Sequence, residues 1–389
     1  MRVLFVTGEY PPMQGGVGDY TWLLGRALVA RGVDVHVLTS YEAGPSHLTP
    51  PGAGMVYPDM HRWRWGLAGQ VRRLAAEIQP DVLHIQYQSA AFDLHPAINL
   101  LPRRLRSAAW PRRVAVTFHD LRTPYIFPKA GPLRWRANLE LAARSDAAIV
   151  TNAEDLARLR PVQALAGKLH QAPIGANIQP DPPAGFQRDA QRARWGVGPD
   201  ELLLCYFGFL NESKGGEELM LALGRLVERG QAARLLMVGG QVGASDPTNQ
   251  AYLARVQALL DAAGLGDRVR WTGFTAAAEV SANFFASDIA LLPYRDGASF
   301  RRGSLMAAIA HAMPVISTEP AVTIPELRHG ENIWLAPVRS PEALAEAAAR
   351  LWQEPALRRQ LSQGARELAG RFTWDAIADR HIEIYRELA

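Results

Sequence analysis

The chain is poor in cysteine, in lysine and in long apolar runs, and each shortage removes a class of function. Its single cysteine, Cys205, can close no disulfide within the chain and excludes Cys-rich structural zinc sites. Lying inside an apolar run, Cys205 is expected to be a small buried hydrophobe. No run approaches the ~20 apolar residues that a membrane span needs. The N-terminus enters a strand-like run, Val3–Thr7, without the basic, apolar and small-residue succession of a signal peptide. These absences lead us to expect a cytoplasmic enzyme or binding protein. Only three of the 42 basic residues are lysines: Lys129, Lys168 and Lys214.

What is present is a long alternation of strand-like and helical segments, the mark of parallel sheets with crossover helices. In the first half the strand candidates are Val3–Thr7, Val33–Thr39, Val82–Gln86, Arg113–Phe118, Ala147–Thr151 and Lys168–Pro173. From residue 200 the pattern restarts with Leu202–Phe207, Arg234–Val238, Val269–Thr272, Ile289–Pro293, Val315–Ser317 and Ile333–Ala336. Expected helices include 18–31, 67–78, 216–228, 250–263, 304–312 and 341–353. The Pro- and Gly-rich stretch 173–185 reads as a linker. At 389 residues the chain is too long for one ordinary core. We therefore expect domains at 1–177 and 178–371, with a closing helix at 372–389 that either returns to the first or packs only on the second. Two doubly wound domains would face a central cleft at the carboxyl ends of their strands, where ligands bind in such folds.

Charge is uneven: residues 1–175 carry +7 and the remainder −3. The excess lies in HRWRW (61–65), RRLRSAAWPRR (103–113) and RWR (134–136). Arginine interleaved with tryptophan suits a lipid–water interface, so peripheral contact with the inner membrane surface is one expectation. A solvated surface with loop-anchoring tryptophans is the alternative. No nucleic-acid-binding motif accompanies the clusters, and nucleic acid is not expected as a partner.

Four segments carry candidate chemistry. In CYFGFLNESKGG a strand breaks at Gly208 and a helix starts near Gly216, with Lys214 between; free N–H groups, glycines and one lysine make a phosphate seat. In PYRDGASFRRGSL a second helix opens at Gly303-Ser304 behind Arg301 and Arg302, donors matched to phosphate. Two converging anion seats in one domain fit a diphosphate. After the first strand, GEYPPMQGGVG offers Gly15 and Gly16 as a turn closing over a phosphate or sugar. Its third glycine position holds Thr21, and the loop is too long for a dinucleotide fingerprint, which argues against a nicotinamide enzyme. His119 ends the strand of TFHD and points toward the expected cleft, where a ring nitrogen can bond a substrate hydroxyl or phosphate.

Taken together, these segments resemble the GT-B glycosyltransferases, specifically the family-4 retaining sugar-nucleotide transferases. The likeness includes IVTNAEDLARL (149–159), PIGAN (173–177), GFLNESKG (208–215), LMVGG (236–240), AAIAHAMPV (307–315) and FTWDAIADRHIEIYREL (372–388). It implies two Rossmann-like domains, a nucleotide held by the second, an acceptor held by the first, and no metal or other cofactor. Lys214 then meets the donor diphosphate, with Gly303, Ser304, Arg301 and Arg302. His119 orients the sugar as the catalytic-site histidine, and Gly15 and Gly16 form the cleft loop. Retention would proceed by front-face displacement without an assigned nucleophile.

Three departures stand out. The family's arginine before the loop is Phe209, and its two glutamates fall on Ser299 and Ala307. The glycine before the last motif's proline is Ala312. Ser299 keeps one hydrogen-bonding group for the sugar; Ala307 keeps none. Arg301 or Arg302 is expected to supply the charge lost at Phe209. The reading is a hexosyltransferase-type enzyme moving a sugar from a nucleotide-diphosphate sugar to a glycan, lipid-linked or small-molecule acceptor. Its rivals are a non-catalytic sugar-nucleotide or glycan-binding module and a sugar-nucleotide epimerase.

Overall fold

The first half of the chain forms a seven-stranded parallel sheet in a computed structural model that describes residues 1–13, 15–45, 52–121, 131–240 and 247–388. Its strands are β1 (Arg2–Thr7), β2 (Asp34–Ser40), β3 (Met55–Met60), β4 (Val82–Tyr87), β5 (Arg113–Phe118), β6 (Ala147–Val150) and β7 (Leu169–Gln171). They run in the order β3-β2-β1-β4-β5-β6-β7. The second sheet has six: β8 (Leu202–Phe207), β9 (Ala233–Val238), β10 (Val269–Trp271), β11 (Ile289–Leu292), β12 (Val315–Thr318) and β13 (Trp334–Ala336), in the order β10-β9-β8-β11-β12-β13. Both orders reverse direction once, between β1 and β4 and between β8 and β11, so each sheet has one switch point. The chain divides into Met1–Asn177 with Thr373–Ala389, and Ile178–Phe372.

Each expected strand is present. The one that sequence reading leaves out, β3, carries Pro58 and Asp59 and lies at the sheet edge, where a missing N–H costs no ladder bond. In the central strands the period-2 alternation divides two apolar faces. Leu4 and Val6 of β1 join a core with Leu83, Ile85 and Val116, whereas Val3 and Phe5 join another with Val35, Val37 and Ala115.

The closing helix Trp374–Leu388 belongs to that second core. Ile377, Ile382, Ile384 and Tyr385 pack there with Leu24 and Leu28 of the helix Gly16–Val29. Arg31 pairs with Asp375 at 2.8 Å and Asp379 at 2.5 Å. In the second unit, Cys205 is fully buried in the apolar core, and burial pushes its thiol up to about 12. No helix among the described residues is long and apolar enough to cross a membrane.

A buried polar chain ties the closing helix to the first sheet. The His84 ring bonds the Tyr385 hydroxyl at 2.6 Å and Thr117 Oγ1 at 2.8 Å. His381 Nδ1 lies 2.8 Å from the Ile377 carbonyl, so Nδ1 carries the proton and Nε2 faces the Tyr20 hydroxyl at 3.4 Å. Burial holds His381 down at about 4 and His84 well below the ordinary histidine range. Both rings are neutral when folded, whereas the unfolded chain protonates them near pH 6.5. Stability is therefore full above that pH and is lost as the pH falls toward 4. His381 alone accounts for roughly 2–3 kcal/mol by pH 4. Urea unfolding between pH 7 and 4.5 should show this loss, and His381→Phe should flatten it; an unchanged slope would place the acid lability elsewhere.

Candidate active site

The second unit's site is built around a left-handed turn. Lys214 ends the short turn Glu212–Lys214, and Gly215 follows at φ +71°, so close to β11 that a Cβ there would lie 1.9 Å from the Pro293 carbonyl oxygen. Only glycine permits both the angle and the approach. Arg295 N–H completes the clasp, donating to the Ser213 carbonyl at 2.9 Å. The Lys214 ammonium turns back toward Gly208, whose own φ is +110° and whose notional Cβ would be 3.1 Å from Nζ.

Lys214 has no carboxylate partner among the described residues. Burial, and secondarily the charge of Arg302, lower its pKa to about 8. The contrast with Lys168 is informative, because Lys168 Nζ is spent on the carbonyls of Ala143 and Ser145 at 2.6 and 3.0 Å. Lys129 lies outside the described residues.

Arg302 stands at the start of the helix Gly303–Ala310. Its guanidinium reaches Asp296 and, at 3.4 Å, the Ser213 hydroxyl, and lies 4.9 Å from the centre of the Tyr294 ring. Its Nε is buried without a partner. Arg301 also turns to Asp296, at 3.3 Å. Of the two arginines expected to replace the charge missing at Phe209, Arg302 is thus the one beside Lys214. At the helix start the Tyr294 hydroxyl takes the Leu305 N–H and bonds Ser304 Oγ at 2.7 Å. The N–H groups of Gly303 and Ser304 have no partner among the described residues. This terminus offers backbone donors and a positive dipole end beside two cations.

The other helix start differs from expectation. The first turn of Gly216–Glu228 carries Glu217 and Glu218, and Arg295 bonds both, reaching Glu218 at 2.8 Å. The Glu217 N–H donates to the Tyr252 hydroxyl at 3.1 Å. These carboxylates already meet the dipole of this helix start, whereas the first turn of Gly303–Ala310 carries no acid, so the two starts do not make the expected pair of open anion seats. Phe209 is 40% exposed and rests its ring on Gly240, where a Cβ would come within 2.6 Å. Ser299 is half-buried, with its carbonyl accepting the Arg302 N–H at 2.9 Å. Ala307 is fully buried in the apolar core, away from any polar role. Ala312 takes a left-handed φ of +51°, the conformation for which the family pattern keeps glycine.

In the first unit the Gly15-Gly16 loop is not an open phosphate cradle. Glu9, two residues past the end of β1, turns its carboxylate onto the start of the helix Gly16–Val29. Its Oε1 accepts the Val17 N–H at 2.9 Å and the Gly18 N–H at 3.4 Å. A Cβ on Gly15 would fall 2.2 Å from that carboxylate, whereas one on Gly16 would meet nothing. Gly15 is therefore required by an internal anion. Burial raises the pKa of Glu9, which Asp19 reinforces; burial also raises that of Asp19, against a side-chain bond from Asn177. His119 directly follows β5, half-buried, with Nε2 2.8 Å from Gln86 Oε1 and its ring edge-on to Tyr20 at 4.6 Å. Burial, and then the proximity of His381, lower its pKa to about 3, so the ring is neutral.

The arginine–tryptophan segments are divided. Trp63 is buried and packs edge-on to Phe92, so it is core. Trp65 is exposed under the Arg104 guanidinium, and Arg112 and Arg158 lie over Trp110 and Trp135. Sequence reading passes over Glu9, Gln86 and Asp296. Glu9 and Asp296 lie in loops that follow strands, Glu9 two residues after β1 and Asp296 four after β11.

Two family models match the chain. "Glycosyltransferase Family 4" matches residues 14–179 and "Glycosyl transferases group 1" matches 201–354, together most of the chain. A D-inositol 3-phosphate glycosyltransferase of Corynebacterium diphtheriae is 25% identical, across 100% of this chain and 95% of that protein. A GDP-mannose-dependent alpha-(1-6)-phosphatidylinositol monomannoside mannosyltransferase of Mycobacterium tuberculosis is also 25% identical, over 99% and 98%. Among solved structures, sucrose-phosphate synthase from Thermosynechococcus elongatus superposes with a TM-score of 0.79 at 22% identity, covering 100% of this chain and 98% of that one. Anabaena HepE, solved with UDP and glucose, does so with a TM-score of 0.76 at 18% identity over the whole of both chains.

The clasp at Gly215 can be measured against a control. Gly215→Ala should cost at least about 2 kcal/mol, from the left-handed angle plus the carbonyl clash. Gly230 has a similar φ of +76° but open space around it. Gly230→Ala should therefore cost only about 1 kcal/mol. Equal losses in urea unfolding would mean that the Pro293 contact is not binding the turn.

Proposed function

This chain belongs to the GT-B glycosyltransferases, and on that premise we propose that its second unit binds the diphosphate of a nucleotide sugar through Lys214, Arg302 and the start of the helix Gly303–Ala310. The observation that carries the reading is the Lys214 ammonium, buried next to a second cation and without a carboxylate among the described residues. Two like charges held together in this way raise each other's cost, which an arriving anion offsets. A diphosphate supplies that charge and accepts the unclaimed N–H groups of Gly303 and Ser304. As the leaving group departs, the same donors stabilise its growing negative charge, a task that metal ions perform elsewhere. Arg301, sharing Asp296 with Arg302, assists. Ser299 is positioned for one hydroxyl of the transferred sugar, a hexose in this reading. The relatives are named as transferases, which favours catalysis over a binding-only module. Retention at the anomeric carbon follows the family-4 likeness.

The first unit supplies His119 and the Gly15-Gly16 loop on the acceptor side. With the Glu9 carboxylate on the helix start, that loop is suited to hydroxyl groups and not to a phosphate. The Trp65–Arg104 and Trp110–Arg112 pairs, in which Trp65 and Arg112 are exposed, suit an anionic lipid surface, which favours an acceptor presented at the inner face of a membrane.

Calorimetric titration with UDP, GDP and ADP tests the diphosphate seat. One nucleotide should bind, and Lys214→Ala and Arg302→Ala should each weaken it about tenfold or more. Binding returns a proton to a lysine whose free-state pKa is about 8. Affinity should therefore be level below pH 8 and decline above it in the wild type, and stay level in Lys214→Arg. Binding that ignores all three variants would reject the seat. Turnover of the matching sugar nucleotide should survive a chelator. Sedimentation with anionic but not neutral vesicles, lost in Trp65→Ala/Arg104→Ala, would support the membrane reading; no sedimentation would remove it.

A further inference from the structure

Gln86 is the last-but-one residue of β4, beside the switch point of the first sheet, and it has no exposed surface. It pairs in register with Thr7 of β1 and Thr117 of β5. A buried primary amide needs partners for both its carbonyl and its N–H₂ group. Here the carbonyl has one, His119 Nε2 at 2.8 Å, while the Gln86 Nε2 amino group is buried with none. Burying an amide so incompletely satisfied is costly, and such sites are kept where the side chain has a task. Its one bond constrains a ring in the candidate active site.

We propose that Gln86 is a positioning residue that fixes His119 in the Nε2–H tautomer, leaving Nδ1 as a bare acceptor for a sugar hydroxyl. The amide carbonyl only accepts, so the ring nitrogen facing it must carry the hydrogen. A neutral imidazole then has one remaining lone pair, on Nδ1, and His119 Nδ1 has no partner among the described residues. The surroundings keep the ring neutral. Tyr20 stands edge-on to it, and burial, with the proximity of His381 second, disfavours a charge on it. Among the described residues, the Gln86 carbonyl is the one hydrogen-bond acceptor that the ring reaches. A sugar hydroxyl donates to such a nitrogen, whereas a phosphate oxygen cannot. This matches the first unit's other feature, the Glu9 carboxylate on the helix start. That a sugar hydroxyl is the ligand rests on the proposed transferase site; the tautomer does not.

Nitrogen NMR of the full chain labelled at its ten histidines reads the tautomer without any donor present. His119→Asn identifies the resonances. In the wild type His119 should show a protonated Nε2 and a bare Nδ1, with no titration between pH 5 and 8. Gln86→Leu should release the ring into a mixture of tautomers. Gln86→Glu, nearly the same shape, puts a carboxylate in place of the carbonyl and should bring the ring's titration into that pH range. The conservative variant keeps the test open if Gln86→Leu does not fold. A protonated Nδ1 in the wild type, or a ring whose tautomer and titration ignore both variants, would overturn the proposal. If the tautomer is as stated but no nucleotide binds, the diphosphate reading falls and this one stands.

Discussion

The approach of Gly215 to the Pro293 carbonyl is the constraint on which the second unit's chemistry rests. It clamps the loop after β8 against the loop after β11, across the switch point of the sheet. Without it, Lys214 and Arg302 would separate under their own repulsion into solvent. With it they are held where burial has already lowered the lysine's affinity for its proton. The cost of this arrangement is charged to folding, not to binding, which is how preorganised electrostatic sites work. Arg295 takes up the neighbouring glutamates, so that no carboxylate from the adjacent helix falls onto the lysine.

The two helix starts next to the two strand ends look interchangeable in sequence and are opposites in structure. One carries Glu217 and Glu218 in its first turn, whereas the other has no acid there; each has one N–H on a tyrosine hydroxyl. A helix dipole attracts whichever anion is nearest, and an internal carboxylate comes first. The same rule decides the first unit, where Glu9 occupies the turn that glycines leave open.

Much of the architecture was legible because apolar runs and helical periodicity are local. The helices Gly216–Glu228 and Pro341–Gln353 begin and end where their patterns do. β3 was not, since Pro58 and Asp59 are tolerable only at an edge, and edges are defined by partners. Lys214, Arg302, Gly303 and Ser304 were legible as a group because they lie where strand gives way to helix. What sequence cannot display is whether a donor is already used. The hydroxyl on Glu217 comes from Tyr252 and the carbonyl on His119 from Gln86, each more than thirty positions away. For the same reason Trp63 and Trp65, two residues apart, pass from core to surface unannounced.

Glu9 has a consequence beyond capping. It is tethered a few residues from the N–H groups it holds, so it competes for them at the effective concentration of an intramolecular partner, on the order of millimolar or higher. Any anionic group of a small molecule that sought the same donors would have to evict it, and leave a half-buried carboxylate without them. The first unit thus carries its own permanent competitive inhibitor of anions, covalently supplied and never diluted. Discrimination at this loop is written into the folded state before any substrate is met.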